Sequence, residues 1–181
     1  MTCIVAVRSG RRIYLGGDSA GVNGLNVTEI KNPKVFRNRE YFIGYTSSFR
    51  MGQLLEHSRL PDYEGEDPYK FMCTVFVDYV QSLFCDHKYG TIKEGENANG
   101  GTFIVILEDR IFMVEDDFQV FEPADSFCSV GCGVYYAQGS LLNSSHLGGS
   151  QRVIQALKTA SYFSGGVRAP FTVLEKAIGT D

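Results

Sequence analysis

Short runs of alternating apolar residues, joined in pairs by tight turns, limit most strongly how this chain can fold. At the start of the sequence, Val5 and Val7 alternate with their neighbours, which is the period of a half-buried strand. A Ser-Gly turn at 9–10 separates this run from a second one at 12–15, which ends in Gly-Gly-Asp at 16–18. The pattern predicts a β-hairpin at the very beginning of the chain.

Further along, strand-like and helix-like runs occur in blocks rather than in strict alternation. Strands are predicted at 34–37, 41–45, 102–107, 110–114, 127–130 and 171–174, and helices from Ser47 or Ser48 to about residue 59, from 67–68 to 83, at 134–142 and at 151–163. The polar, Gly-rich stretches 88–101 and 143–150 are interpreted as an exposed loop and a linker. Grouped runs of this kind predict the α+β fold class, with antiparallel sheets and helices in outer layers. No repeat and no clear linker divides the chain, so one domain over 1–181 is expected.

Composition and charge argue against several classes of function. The net charge of -4, with no block of like charge, speaks against a nucleic-acid partner. No apolar stretch approaches the roughly 18 residues of a membrane span, and residues 1–8 do not form a secretory signal, so a cytoplasmic location is expected. Three scattered histidines and five cysteines without a C-x-x-C pair predict no metal site. No P-loop is present, and no cofactor is expected.

The second residue is the first candidate for chemistry. Methionine followed by a small residue is the usual context for removal of the initiator, and removal of Met1 would leave Thr2 with both a hydroxyl and a free α-amine. A threonine hydroxyl alone is a poor nucleophile, but a neighbouring amine can take its proton. Because very many proteins begin with Met-Thr, this dipeptide by itself is a weak signal.

Three separated segments make the signal specific: TCIVAV at 2–7, LGGDS at 15–19 and KVF at 34–36. In these segments the chain resembles the proteasome β-subunit family and its HslV-like bacterial relatives, with Asp18 and Lys34 lying 16 and 32 residues after Thr2, without a gap. Further similarities are IGYTSS at 43–48, SVGCGVYYA at 129–137 and SYFSGG at 161–166. The resemblance implies the Ntn-hydrolase fold, a four-layer αββα sandwich with two antiparallel sheets between helix layers.

The resemblance also implies a role for each matching residue. Thr2 would be the nucleophile, and Lys34 would lie close enough to its hydroxyl to lower the pKa of that hydroxyl. Asp18 would pair with Lys34 and keep it charged and oriented. The backbone N–H of Ser47 would face the oxyanion. Without this match to the spacing of the family, Asp18 would be interpreted as an ordinary turn residue and Lys34 as a solvated strand residue.

Two positions depart from the family pattern. Cys132 stands where the family has serine, and Ser161 stands where it has aspartate, while Ser164 matches the family. These residues support the terminal amine in the family, and a thiol is a weaker hydrogen-bonding group than a hydroxyl. The proton relay at the terminal amine is therefore either rebuilt with neutral groups and water, or activity is low or absent. Cys3 is disfavoured as an alternative nucleophile, because a shift of one residue moves the side chain to the other sheet face.

The resemblance implies partners as well. A threonine endopeptidase of this family would act on unfolded polypeptides inside homo-oligomeric rings, served by a separate ATP-dependent unfoldase. A catalytically silent subunit that kept the fold is the alternative from another class, and Cys132 and Ser161 favour it. A non-protease Ntn amidohydrolase is a further alternative.

Overall fold

The computed structural model describes residues 1–89, 91–93, 96–98 and 101–179, with backbone only for 91–93 and 96–98. The strands are β1 (Cys3–Ser9), β2 (Arg12–Gly17), β3 (Ala20–Asn23), β4 (Asn26–Glu29), β5 (Val35–Asn38), β6 (Tyr41–Tyr45), β7 (Thr91–Lys93), β8 (Glu96–Ala98), β9 (Phe103–Leu107), β10 (Arg110–Val114), β11 (Val120–Phe121), β12 (Phe127–Gly131) and β13 (Thr172–Ala177). The helices are α1 (Phe49–His57), α2 (Pro68–Phe71), α3 (Val77–Asp86), α4 (Val134–Asn143) and α5 (Gly149–Phe163), with a π-helical turn (Met72–Phe76) between α2 and α3.

Two antiparallel sheets form the centre of the fold. The first has the strand order β12-β1-β2-β13, and the second has the order β11-β10-β9-β6-β5. Val5 in β1 lies opposite Gly16 of β2 and Ser129 of β12, so the first strand of the chain is an inner strand of its sheet. The predicted class, antiparallel sheets combined with helices, is confirmed.

Strand β1 is buried on both faces rather than on one. Ile4 and Ala6 pack with side chains of the second sheet, including Ile104, in one apolar cluster. Val5 and Val7 belong to a different cluster, formed with α4 and α5. The expectation of a half-buried strand is therefore wrong, because helices cover the face that the alternation would have left to water.

The second sheet also has two apolar faces. Ile104 and Ile106 face the first sheet, whereas Val105 and Leu107 join a cluster with α1, α3 and the π-helical turn. Alternation along β9 therefore directs every second side chain into a different cluster. The two sheets share one apolar cluster, and each sheet shares another with helices.

Local signals explain the helix starts. Ser48 accepts a hydrogen bond from the N–H of Met51 at 3.3 Å and caps α1. Asp67 accepts one from the N–H of Lys70 at 3.1 Å and caps α2, with Pro68 at its first position. The sequence predicts the second start at these residues and leaves the first between Ser47 and Ser48, of which Ser48 is the cap.

Three segments differ from the prediction. The β3–β4 hairpin was not predicted, because all of β4 is exposed and gives no apolar alternation. The stretch 88–101 contains β7 and β8 rather than only a loop, although part of it lies outside the described residues. The expected linker at 143–150 ends early, since α5 begins at Gly149.

Gly52 in α1 gives a test of how tightly this helix packs on the second sheet. A Cβ added at Gly52 would lie 2.3 Å from two ring atoms of Tyr45. We expect Gly52→Ala to lower the free energy of unfolding by about 1–3 kcal/mol, measured by urea denaturation, although alanine is the better helix former. The exposed neighbour Gln53 is the control, and Gln53→Ala should change the free energy by less than about 0.5 kcal/mol. Equal effects of the two substitutions would contradict this packing.

Candidate active site

Lys34 is a charged side chain in the interior. It directly precedes β5, and its carbonyl accepts a hydrogen bond from the N–H of Tyr45 at 3.1 Å, which fixes its backbone beside β6. Its side chain is fully buried. A buried ammonium is costly unless it is paired and hydrogen-bonded, so its neighbours decide what this position can do.

Asp18 is the partner of this lysine. It follows β2, and both carboxylate oxygens accept hydrogen bonds from Lys34 Nζ, at 3.0 and 3.1 Å. The backbone N–H groups of Cys3 and Ala20 donate to the same carboxylate at 3.0 and 2.9 Å, and that of Arg168 donates at 3.4 Å. The carboxylate thus joins the first residue of β1, the first residue of β3 and the segment before β13.

Thr2 completes the group. Its Oγ1 accepts a hydrogen bond from Lys34 Nζ at 2.9 Å and donates to the carbonyl of Met1. Thr2 is 4% exposed, while Met1 is 53% exposed. The structure therefore brings Thr2, Asp18 and Lys34 together, with the lysine between the carboxylate and the hydroxyl.

Burial and the charge of Asp18 change the pKa of Lys34 in opposite directions. Burial lowers the pKa of its ammonium below the ordinary value of 10.5, while the charge and hydrogen bonds of Asp18 act to raise it. The lysine therefore gives up a proton more readily than an exposed lysine does, yet it has a carboxylate that favours its charged form. Either form faces the Thr2 hydroxyl.

Cys3 lies in an environment that disfavours a thiolate. Burial raises the pKa of its thiol, and the charge of Asp18 raises it further. Since the thiolate is the reactive form, Cys3 is a poor nucleophile where it stands. Its backbone N–H, by contrast, donates to Asp18 and so contributes to the site.

Gly131 lets the backbone of β12 approach Thr2 closely. Its φ is +99°, and a Cβ at this position would lie 2.2 Å from the Thr2 carbonyl oxygen. Any side chain here would push the residue preceding β1 out of place. The sequence resemblance places this glycine in the segment 129–137 that is similar to the family, without indicating its contact with Thr2.

Ser47 lies in the turn between β6 and α1. Its φ is +66°, it is exposed, and within the described part of the chain no group accepts a hydrogen bond from its N–H. The preceding Thr46 is fixed, because its N–H and its hydroxyl both donate to the carbonyl of Thr102, at 3.1 and 2.8 Å. The N–H of Ser47 is thus a free donor, next to a residue that two hydrogen bonds hold in place.

Of the three residues that the resemblance assigns to support of the terminal amine, Cys132 and Ser164 lie together and Ser161 lies apart. Cys132 Sγ and Ser164 Oγ lie 3.4 Å apart, and a Cβ at Gly166 would lie 2.8 Å from Cys132 Sγ and 2.5 Å from Met1 Cβ. Cys132 therefore lies beside the first residue of the chain. The hydroxyl of Ser161 instead donates to the carbonyl of Lys158 at 2.9 Å, within α5.

Sequence reasoning missed the backbone donors of Ala20 and Arg168. A main-chain N–H carries no side-chain signal, and Arg168 is 150 residues from the carboxylate that it contacts. Across the described ranges, no group of three or more His, Cys, Asp or Glu side chains could hold a metal ion. No helix in those ranges has both the length and the apolar character needed to cross a membrane.

The buried ion pair leads to a stability prediction. We expect Asp18→Asn and Lys34→Met each to lower the free energy of unfolding by about 3–5 kcal/mol, because each leaves one buried charge without its partner. The double variant should recover part of this loss, since neither charge is then left alone. Urea denaturation of the four proteins measures the coupling.

An exposed ion pair of the same length is the matched control. Arg8 and Asp109 lie 3.0 Å apart, as Lys34 and Asp18 do, but their side chains are 44% and 45% exposed. Arg8→Met and Asp109→Asn should each cost less than about 1 kcal/mol. Equally small losses at both pairs would mean that water reaches Lys34.

Comparisons with known proteins give the fold. No protein-family model and no curated protein matches the sequence. Solved structures do match: Thiobacillus denitrificans BPH has a TM-score of 0.85 at 18% identity, over 99% of this chain and 100% of its own. The same protein in complex with epoxomicin has a TM-score of 0.82 at 16% identity, over 98% and 100%. Eukaryotic HslV from Trypanosoma brucei has a TM-score of 0.67 at 17% identity, over 96% and 98%.

These likenesses show the general type of fold. The chain has the HslV-like, proteasome β-subunit type of fold over nearly its whole length. Identities of 16–18% establish the fold alone, so the chemistry has to be argued from the residues of this chain.

Proposed function

We propose that this chain is a proteasome-type threonine peptidase subunit, which hydrolyses peptide bonds through Thr2 after Met1 has been removed. The observation that carries the proposal is the 2.9 Å hydrogen bond from Lys34 Nζ to Thr2 Oγ1, with Asp18 on the other side of the same ammonium. A positive charge beside a hydroxyl stabilises its deprotonated form. This buried set of hydrogen bonds is not what would be found if Lys34 were a solvated lysine and Asp18 an ordinary turn residue.

Removal of Met1 would supply the base. In the uncleaved chain the nitrogen of Thr2 is an amide, which has no basic lone pair. Once the bond to Met1 is cut, the same nitrogen is an α-amine with an ordinary pKa near 8, and part of it is neutral at pH 7. This amine takes the hydroxyl proton, directly or through one water molecule.

The reaction then follows from these positions. Thr2 Oγ1 attacks the carbonyl carbon of the substrate, and the resulting oxyanion accepts a hydrogen bond from the N–H of Ser47. The C–N bond breaks, and the leaving amine takes the proton held by the α-amine. Water, deprotonated by the same amine, attacks the ester and releases the second product, which restores the threonine hydroxyl.

The thiol and hydroxyl of Cys132 and Ser164 support the terminal amine in this proposal. Cys132 Sγ and the side chain of Met1 both lie against Gly166, and Met1 is bonded to the nitrogen that cleavage would expose. Ser164 reaches the same place through its 3.4 Å contact with Cys132. Ser161, which bonds to its own helix, would need a different rotamer to take part.

A catalytically silent subunit is the second candidate, and one observation favours it. No acidic side chain contacts the Cys132–Ser164 pair within the described residues, so a terminal ammonium would have no fixed negative partner there. Asp18 is already engaged by Lys34. Against this candidate, a silent site has no evident need for a buried lysine that points at a hydroxyl.

The finer architecture and the assembly belong to the same proposal. We infer one domain with helix, sheet, sheet and helix layers, which the three apolar clusters support. Copies of the chain would form rings in the cytoplasm that enclose Thr2, act on unfolded polypeptides and receive them from a separate ATP-dependent unfoldase. A non-protease amidohydrolase would use the same nucleophile on a smaller substrate.

Labelling with a β-lactone tests the nucleophile. We expect intact-mass analysis to find a chain without Met1 that gains one probe mass, because the strained lactone acylates an activated hydroxyl. Thr2→Ser should keep the adduct, and Thr2→Ala should lose it. The exposed threonine Thr28 is the matched control, and Thr28→Ala should label like the wild type.

The other outcomes separate the two candidates. Loss of Met1 without any adduct would support the silent subunit. Retention of Met1 in the purified, assembled protein would overturn the peptidase proposal, because the amine and the hydroxyl could not act together.

Substitution of Cys132 tests the support of the amine. We expect Cys132→Ser to keep or raise the turnover of a fluorogenic peptide, because a hydroxyl is the stronger hydrogen-bonding group beside an amine. Cys73 and Cys85 are exposed and unpaired, so Cys73→Ser and Cys85→Ser should leave turnover unchanged. A complete loss of activity in Cys132→Ser alone would contradict this role.

A further inference from the structure

The turn that carries the free N–H of Ser47 is closed by a hydrogen bond between the residues on either side of it. The N–H of Ser48 donates to the carbonyl of Thr46 at 2.7 Å, and the φ of Ser47 is +66°. A hydrogen bond across a single residue of positive φ is the γ-turn of the rare and strained form. Since such strain persists only where the surroundings enforce it, the neighbours of this turn must hold it in place.

The peptide bond between Thr46 and Ser47 sets the direction of the free N–H. This bond is trans, and a trans peptide directs its C=O and its N–H to opposite sides. Because the carbonyl of Thr46 points into the turn, where it accepts from Ser48, the N–H of Ser47 points out of it. A rotation of Thr46 would therefore redirect this N–H.

The hydroxyl of Thr46 holds it on the side of the second sheet. Thr46 directly follows β6, is 3% exposed, and donates both its N–H and its hydroxyl to the carbonyl of Thr102, just before β9. Thr102 is itself held, since its hydroxyl donates to Glu115, directly after β10, at 3.0 Å. The hydroxyl of Thr46 also lies 3.2 Å from that of Ser47. One side-chain oxygen thus contacts both the sheet and the turn.

The methyl group of Thr46 lies against the first sheet. A Cβ at Gly131 would lie 3.2 Å from Thr46 Cγ2 and 2.2 Å from the carbonyl oxygen of Thr2. Gly131, the last residue of β12, is therefore a neighbour that Thr46 and Thr2 share. Branching at Cβ restricts χ1, so the hydroxyl and the methyl group of a threonine keep fixed directions.

We propose that Thr46 is a positioning residue, which sets the distance between the N–H of Ser47 and the hydroxyl of Thr2. The donor follows a strand of the second sheet, and the nucleophile precedes a strand of the first. Thr46 contacts one side through its hydroxyl and the other through its methyl group. This inference rests on the proposed function, in which both groups meet at one substrate carbonyl. Thr46 acts through Ser47 and Gly131 rather than on the substrate.

Removal of the hydroxyl tests this role. Thr46→Val keeps the shape and the methyl group of the side chain. We expect kcat for a fluorogenic peptide to fall about 10- to 100-fold with KM changed less than about twofold, because the N–H of Ser47 acts on the oxyanion rather than on the bound substrate. Thr46→Ser restores the hydroxyl and should bring kcat to within about threefold of the wild type. The pH dependence of kcat/KM should stay the same in both variants, since the terminal amine and Lys34 are unaltered.

A buried hydroxyl outside the site is the matched control. Ser144 is 5% exposed, and its hydroxyl donates to the carbonyl of Leu141 at 3.4 Å. Ser144→Ala should lower the free energy of unfolding as Thr46→Val does, since each variant loses a buried hydrogen bond. It should leave kcat and KM unchanged. A merely structural role of Thr46 would make the two variants alike in kcat as well.

Hydrogen exchange measures the turn without any turnover. The amide of Ser48 closes the turn, and we expect it to exchange about tenfold faster in Thr46→Val than in the wild type, and at the wild-type rate in Ser144→Ala. A wild type with neither turnover nor a β-lactone adduct would contradict the peptidase proposal. The exchange rate would then still decide whether Thr46 holds the turn.

Two results would overturn the role of Thr46. The first is an active wild type whose kcat is unchanged in Thr46→Val, with far-UV circular dichroism to check that the variant is folded. The second is a Ser48 amide that exchanges equally fast in the two proteins.

Discussion

The fully buried ammonium of Lys34 constrains the rest of this structure. An isolated charge in the interior would cost several kcal/mol, so the fold must bring it a carboxylate and other polar partners. Asp18 provides the carboxylate, and Thr2 provides a hydroxyl oxygen at 2.9 Å. The segments at residues 2, 18 and 34 are thereby held at one point, next to the ends of β1, β2 and β5. The same contacts that stabilise this point place a positive charge against a hydroxyl, so structure and chemistry are not separable here.

Much of the fold could be predicted because its signals are local. The β1–β2 and β5–β6 hairpins combine apolar alternation with a short turn, and Ser48 marks the start of α1 by capping it. These features depend on neighbouring residues only. The β3–β4 hairpin has no such signal, since its strands pair with each other and much of it faces water. Burial of both faces of β1 was missed for the opposite reason, because only tertiary packing decides whether a second face is covered.

The candidate site also has a part that the sequence predicts and a part that it does not. The family resemblance at Thr2, Asp18 and Lys34 pointed to three side chains that the fold brings together. The rest of the site is backbone: the N–H groups that orient the carboxylate come from residues of any type, and Gly131 matters because it has no side chain. Ser161 shows the limit of matching by position. Its hydroxyl lies in the last turn of α5 and is satisfied by the carbonyl three residues earlier, which a sequence pattern does not reveal.

The order of the strands explains why this site needs the whole chain. Strand β1 lies between β2, its hairpin partner, and β12, and β2 in turn pairs with β13. The carbonyl of Thr2 is packed against Gly131, and the carboxylate of Asp18 accepts from the N–H of Arg168. Closing loops of more than a hundred residues is slow, so these contacts form only when distant parts of the chain have already paired. A hydroxyl activated by a buried ammonium would therefore not exist in a partly folded chain. For the peptidase proposed above, this dependence on long-range contacts would keep a partly folded chain inactive.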